Sequence, residues 1–219
     1  MPNLSCKLNH LILIRHAHAE HLDGPLTGGW TDTNLTEQGK KEAEALATRL
    51  RYELQGESIK LYCSDLKRAV QTAAIIGDFV KVTPVPLSGL REINHGVATN
   101  MTREKAKKHY IEPTEPQLDW QAFPGAETWR QFYQRVSECM GTLPCEETIT
   151  LIVSHGGPIV HIINWWLELD LETVSRVYYY TDPASITVLS TNRFNDKVIS
   201  RLNDTAHLYE LGQKTLLSN

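Results

Sequence analysis

Long apolar runs are missing from this sequence. Leu11–Ile14 is the longest near the start, and it meets Arg15-His16 at once. Pro158–Leu169 is broken by His161, Asn164 and Glu168. Neither approaches the roughly 20 apolar residues of a membrane span, and no basic region leads into a longer apolar core as in a signal peptide. Cysteine is scarce: Cys6, Cys63, Cys139 and Cys145 form no C-x-x-C pair, so nothing points to an oxidising compartment and the four are read as chemically inert. A cytoplasmic location is the expectation. An excess of positive charge is also lacking. Lys and Arg total 22 against 26 Asp and Glu, a net charge of −4, which argues against a nucleic-acid partner. With 41% hydrophobic residues the chain is far from a disordered composition. No internal repeat, low-complexity tract or linker divides it. One domain over residues 1–219, as monomer or homodimer, is expected, and any anion it handles must be gathered by a local pocket.

What is present is an alternation of short buried strands and amphipathic helices. His10–Ile14 reads as a strand. Thr36 then serves as N-cap of a helix with Ala43, Leu46, Ala47, Leu50 and Leu54 at helical spacing. Ile59–Cys63 is a second strand, and Ser64 or Asp65 is expected to cap the helix carrying Ala69, Val70, Ala73 and Ile76. Val82–Leu87 is a third strand that Pro84 and Pro86 push to a sheet edge. Helices are expected at about Thr102–Tyr110 and Glu127–Met140. Thr148–Val153 is a strongly β-branched strand running into Gly156-Gly157-Pro158, where Pro suits a first helical turn. Ser185–Leu189 and Lys197–Leu202 are late strands. The order implies an α/β fold: a mostly parallel central sheet with helices on both faces, and a small helical cap inserted at about 97–124.

Ligands of open α/β sheets sit at the carboxyl ends of the strands. Here three such ends carry polar residues: Arg15-His16, Ser64-Asp65 with Arg68 one turn on, and Ser154-His155-Gly156-Gly157. Singly, each His is an ordinary structural residue and each Arg a solvated one. Together, two Arg, two His and open helix N–H groups make a pocket for a dianionic group, because guanidinium forks match phosphate oxygens. A neutral imidazole nitrogen is a competent nucleophile toward phosphorus when its other nitrogen is held as a donor. The leaving oxygen then needs a proton, and Glu92 in Leu90-Arg91-Glu92 is the candidate acid.

These residues resemble the histidine phosphatase (phosphoglycerate-mutase-like) superfamily. Six segments follow its order: Leu11–His16 (LILIRH), Asp32–Gly39 (DTNLTEQG), Tyr62–Thr72 (YCSDLKRAVQT), Leu90–Gly96 (LREINHG), Phe123–Glu127 (FPGAE) and Val153–Gly157 (VSHGG). The resemblance implies that His16 becomes phosphorylated and that Arg15, Arg68 and His155 hold the phosphoryl group. It implies that Glu92 is the acid of the first half-reaction and the base for water in the second. The expectation is a histidine acid-type phosphatase that hydrolyses a small phosphorylated metabolite and needs no cofactor.

The chain departs from the family pattern after the R-H pair. A frequent continuation, R-H-G-[EQ]-[ST]-x-x-N, here places Ala19 and Leu22 where a hydroxyl and an Asn stand. The frequent G-x-W-E-G becomes Gly96-Val97-Ala98-Thr99-Asn100. His18, His21 and His95 are candidate substrate-rim residues. His16-x-His18 offers too few ligands for a metal site, and none is expected. Glu127 is read as a structural hydrogen-bond partner. Within the family, Glu92-Ile93-Asn94-His95-Gly96 lacks the Arg and aromatic of the mutase-type E-R-H-Y-G, which favours hydrolysis over a cofactor-dependent phosphoglycerate mutase. A pseudo-phosphatase that only binds phosphorylated ligands is a further alternative, opposed by the retention of both nucleophile and acid. The basic run Arg103, Lys105, Lys107, Lys108 and His109 reads as a solvated helix face. Trp120, Phe123 and Tyr110 serve either as a leaving-group wall or as cap core.

Overall fold

A computed structural model describes residues 10–144 and 148–212. Cys6 and Cys145 lie outside the described residues. Six strands form one sheet in the order β3-β2-β4-β1-β5-β6: β1 His10–Arg15, β2 Ile59–Ser64, β3 Val85–Leu87, β4 Ile149–Ser154, β5 Ile186–Thr191 and β6 Lys197–Asp204. Pairings β1–β4, β2–β4 and β2–β3 are parallel, whereas β5 is antiparallel to both β1 and β6. Only β5 therefore runs against the others, and the sheet is mostly parallel. The helices are α1 Glu20–Asp23, α2 Glu37–Glu53, α3 Lys67–Val80, α4 Arg103–Lys107, α5 Trp129–Gly141, α6 Gly156–Trp166 and α7 Leu171–Val174.

The near-continuous apolar β1 is explained by burial on both faces, as parallel strands require. Ile12 and Ile14 belong to the core beneath α2 and α3, with Leu46, Leu61 and Ala73. Leu11 and Leu13 alternate to the opposite core with Phe132, Val136, Ile159 and Ile163 of α5 and α6. The prolines do confine β3 to an edge, and it is only three residues long. Thr36 caps α2 by accepting from Gly39 N–H at 3.0 Å. Gly39 has no alternative residue, because a Cβ there would collide with the backbone of His18.

Two local expectations are corrected. Helix α3 has Leu66 at its N-cap with no side-chain cap bond. The Ser64 hydroxyl is instead engaged by His155, and the Asp65 carboxylate by Arg91 in a bidentate pair at 2.7 Å for each bond. Helix α4 is shorter than the expected 102–110, since only Ala106 of Arg103–Lys107 is buried and no apolar face extends it. Segment 97–124 otherwise holds 3-10 turns at Gly96–Ala98 and Gln117–Asp119. There Tyr110 packs edge-on against Trp120 and Phe123, with centroids 5.8 and 5.9 Å apart. Arg103 ties the segment to α1, donating to His21 O at 2.9 Å.

Candidate active site

Register brings the three chemical strand ends together. Arg15 pairs with Ser154 across β1–β4, and Cys63 with Val153 across β2–β4. The next residues, His16 and His155, thus emerge side by side, their ring centroids 5.0 Å apart. Helix α3 then carries Arg68 up beneath them. Arg68 is 1% exposed and its Nε stands 3.2 Å from both His16 Nε2 and His155 Nδ1. Its other nitrogens donate to Thr31 O at 2.7 Å and Gly29 O at 2.8 Å, so the guanidinium is held at every corner.

These contacts assign both tautomers. His16 Nδ1–H donates to Ala17 O at 2.8 Å, leaving Nε2 as the lone-pair nitrogen facing Arg68. His155 Nε2–H donates to Ser64 Oγ at 2.8 Å, leaving Nδ1 to accept. Burial first, then the positive charges of Arg68 and Arg15, hold His16 well below its ordinary pKa. Burial, Arg68 and the neighbouring His16 do the same to His155. Both rings are neutral at physiological pH, the form in which Nε2 of His16 has a free electron pair. Burial lowers Arg68 to about 10, which leaves it cationic. Arg15 donates to Thr181 O, and its Nε is buried without a hydrogen-bond partner.

Glu92 faces this group from the loop after β3. Its Oε1 accepts Ile93 N–H at 2.9 Å and its Oε2 accepts Gly157 N–H at 3.2 Å, in the first turn of α6. Two residues that sequence reasoning missed hold its backbone. Trp30 Nε1 donates to Glu92 O at 2.7 Å, and Arg135 Nη2 donates to the same oxygen at 3.1 Å. Arg135 also reaches Gly89 O and Arg91 O, and forms a bidentate pair with Glu127 at 2.7 and 2.8 Å. Glu127 in turn takes Asn94 N–H at 2.8 Å, a structural role for that carboxylate. The available signal was a lone Trp in the loop Gly28-Gly29-Trp30; Arg135 carried none, being one of several polar residues on an amphipathic helix.

The three rim histidines are placed differently. His21 is only 7% exposed, its ring 5.8 Å from His16 and its Nδ1 2.9 Å from Thr33 Oγ1. Burial, with Arg68 and Arg15, lowers it to about 3, so it lines the interior as a neutral ring and adds no charge at a mouth. His18 hydrogen-bonds Thr36 Oγ1 at 3.0 Å and lies 3.4 Å from Asp23. His95 packs beside Phe123 with centroids 5.8 Å apart, and burial lowers its pKa. Among the described residues no group of three or more His, Cys, Asp or Glu is placed to hold a metal ion, and no helix is long and apolar enough to cross a membrane. Cys63 is buried, with its thiol pushed up to about 11 by burial and by Asp65.

A neutral imidazole lone pair, two guanidinium groups and a carboxylate thus gather at the carboxyl ends of the inner parallel strands, a group of side chains chemically suited to an anionic ester. Residues 11–205 match the family model of the histidine phosphatase superfamily (branch 1), and the chain belongs to that superfamily. It is 31% identical over 208 residues to phosphoserine phosphatase 1 of Hydrogenobacter thermophilus, covering 91% of this chain and 94% of the relative. It is 32% identical over 168 residues to a 2,3-bisphosphoglycerate-dependent phosphoglycerate mutase of Thermoplasma acidophilum, covering 74% and 78%. The alpha-ribazole phosphatase of Shigella flexneri superposes with a TM-score of 0.73 at 25% identity, over 90% of this chain and 96% of that one. The protein is an enzyme of the phosphatase type.

Proposed function

We propose that the protein is a cytoplasmic phosphomonoester hydrolase of the histidine acid-type, working through a phosphohistidine on His16 and acting on a small phosphorylated metabolite. The observation that carries this reading is the 3.2 Å approach of Arg68 Nε to an imidazole nitrogen whose partner Nδ1–H is committed to Ala17 O. In the first half-reaction Nε2 of His16 attacks phosphorus. The P–N bond forms as the P–O bond to the alcohol breaks, and the protonated carboxyl of Glu92 gives its proton to the departing oxygen. Arg15 and Arg68 hold the phosphoryl oxygens with charges already in place, and His155, whose resting Nδ1 is an acceptor, joins them by taking up a proton there as the dianionic group enters. In the second half, Glu92 as carboxylate takes a proton from water. That water attacks phosphorus, the P–N bond breaks, and inorganic phosphate leaves with His16 neutral and Glu92 protonated again.

Rapid quench with a generic aryl phosphate tests this. An acid-labile, base-stable phosphoenzyme is expected in the wild type, and His16→Ala is expected to abolish it with a loss of roughly 10³-fold or more in turnover. Full turnover by His16→Ala overturns the assignment.

The mutase relative supports a second reading. It is opposed by the residues after Glu92: Asn94 is spent on Glu127 and Gly96, and His95 is packed beside Phe123. Conversion of 3-phosphoglycerate to 2-phosphoglycerate in the presence of 2,3-bisphosphoglycerate, at rates above hydrolysis, would favour the mutase.

A further inference from the structure

The extended segment 178–181 leads into β5 and is fastened to the site at its far end. Thr181 is 3% exposed and its carbonyl accepts from Arg15. Both Thr181 Oγ1 and Arg15 Cζ lie 3.9 Å from where a Cβ on Gly156 would stand, so the segment passes beside the first residue of α6. Side chains alternate along it as in any extended chain. Tyr179 packs against the core on the α5/α6 side. Tyr178 and Tyr180 turn outward instead, 61% and 62% exposed, with their rings 6.5 Å apart at 66°.

Tyr178 is exposed over its ring and stands three residues before Thr181, whose carbonyl Arg15 holds. Burial raises its pKa, the Glu92 carboxylate raises it further, and Arg15 pulls the other way. The other aromatic side chains near the site are already engaged. Trp30 is bonded to Glu92 O and covered by Arg91, whose Cζ is 4.8 Å from the ring centroid. Tyr110, Trp120 and Phe123 pack on one another. An edge-to-face pair left open beside a reaction centre offers a further ring both a face and an edge, the two geometries aromatic groups prefer.

We propose that Tyr178 and Tyr180 form the leaving-group subsite, receiving a planar ring carried by the alcohol of the phosphomonoester. This rests on the hydrolase reading above and deepens it, naming the substrate class as phosphate esters of ring-bearing alcohols. Arg15 and Glu92 meet the phosphoryl end, and the tyrosines meet the other. The Thr181–Arg15 bond sets the distance between the two.

The test compares kcat/KM for three esters: a nucleoside 5′-monophosphate, benzyl phosphate and glycerol phosphate, which has no aromatic ring. Tyr178→Ala and Tyr180→Ala are expected to lose about tenfold on the preferred ring ester, mostly through KM, the scale of one aromatic stacking partner, while glycerol phosphate stays within about twofold. Tyr178→Phe is expected to retain the ring preference, since stacking and not the hydroxyl carries it. The nucleoside and benzyl arms distinguish a base from a simple aromatic ring. Equal losses on ring and ringless esters, or a wild type with no ring preference, overturn the subsite and leave the hydrolase reading standing. A wild type that turns over none of the three and forms no phosphoenzyme overturns the hydrolase reading, and the subsite falls with it.

Discussion

Gly157 and Glu92 are packed so closely that neither position tolerates a change without the other responding. The Gly157 N–H donates to Glu92 Oε2 at 3.2 Å, and a Cβ on Gly157 would collide with Oε1 and come within 2.7 Å of Phe132 Cε1. The glycine is therefore required by space, in the first turn of a helix, to let a carboxylate reach the reaction centre. On the other side Trp30 and Arg135 hold the Glu92 backbone. The carboxylate is positioned from both ends.

Gly157→Ala is accordingly expected to move the carboxylate by a fraction of an ångström to an ångström. A misplacement of that size costs roughly 10²-fold in kcat, while phosphate binding by Arg15 and Arg68 is largely kept. Steady-state kinetics with phosphate as a competitive inhibitor checks it: kcat should fall with little change in the phosphate inhibition constant. An unchanged kcat would show that the close packing has no catalytic consequence.

Glu92→Gln removes the proton donor and also sets an NH2 against an N–H donor, because both carboxyl oxygens accept backbone N–H groups. For an alkyl phosphate, kcat/KM should fall by about 10²–10⁴, the range of general acid catalysis. An activated aryl phosphate, whose leaving oxygen needs no proton, should lose much less. Equal losses with both esters would remove Glu92 from the acid role.

His161 sits on α6, fully buried, with Phe132, Trp129 and Tyr133 ring centroids 4.5, 5.2 and 5.6 Å away. Neither ring nitrogen has a hydrogen-bond partner. Burial, then Arg135, lowers its pKa from 6.5 to about 3. Unfolded chain takes up this proton near 6.5 and folded chain only near 3, so stability is full above pH 6.5. It then declines as pH falls toward 3, by at most about 1.4 kcal/mol per pH unit for this site. His21 and His207, lowered mainly by burial to about 3 and about 4, act in the same window and direction. Urea unfolding of His161→Phe between pH 6.5 and 4 should show a shallower loss of stability than wild type, by close to one proton. Parallel curves would refute the buried-neutral assignment.

Much of the candidate site is legible in the sequence because its residues are tied to strand ends. A buried strand must stop where polar residues begin, so Arg15-His16 and Ser154-His155 announce both the end of a strand and the edge where ligands meet. Arg68 follows one helical turn after β2 for the same reason, and Thr36 with Gly39 marked a helix start through local hydrogen bonding alone. Ser64 and Asp65 misled because their side chains have local and distant partners of equal chemistry. His155 and Arg91 won, leaving α3 without a side-chain cap. Sequence alone offers His21 as a substrate-rim candidate. Its neighbours in space bury it.

By itself, the order of residues determined the α/β alternation, the edge position of β3, and the set of Arg, His and Glu side chains able to handle a phosphoryl group. Those follow from local periodicity and from what each side chain can donate, accept or ionise. Only the tertiary structure decided which nitrogen of each imidazole is free, how Arg135 and Trp30 hold Glu92, and which aromatic rings remain open. The Arg135–Glu92 bond spans 43 residues of chain and the Arg68–His155 bond 87. Contacts at such separations depend on sheet register and helix packing, which no short stretch of sequence contains.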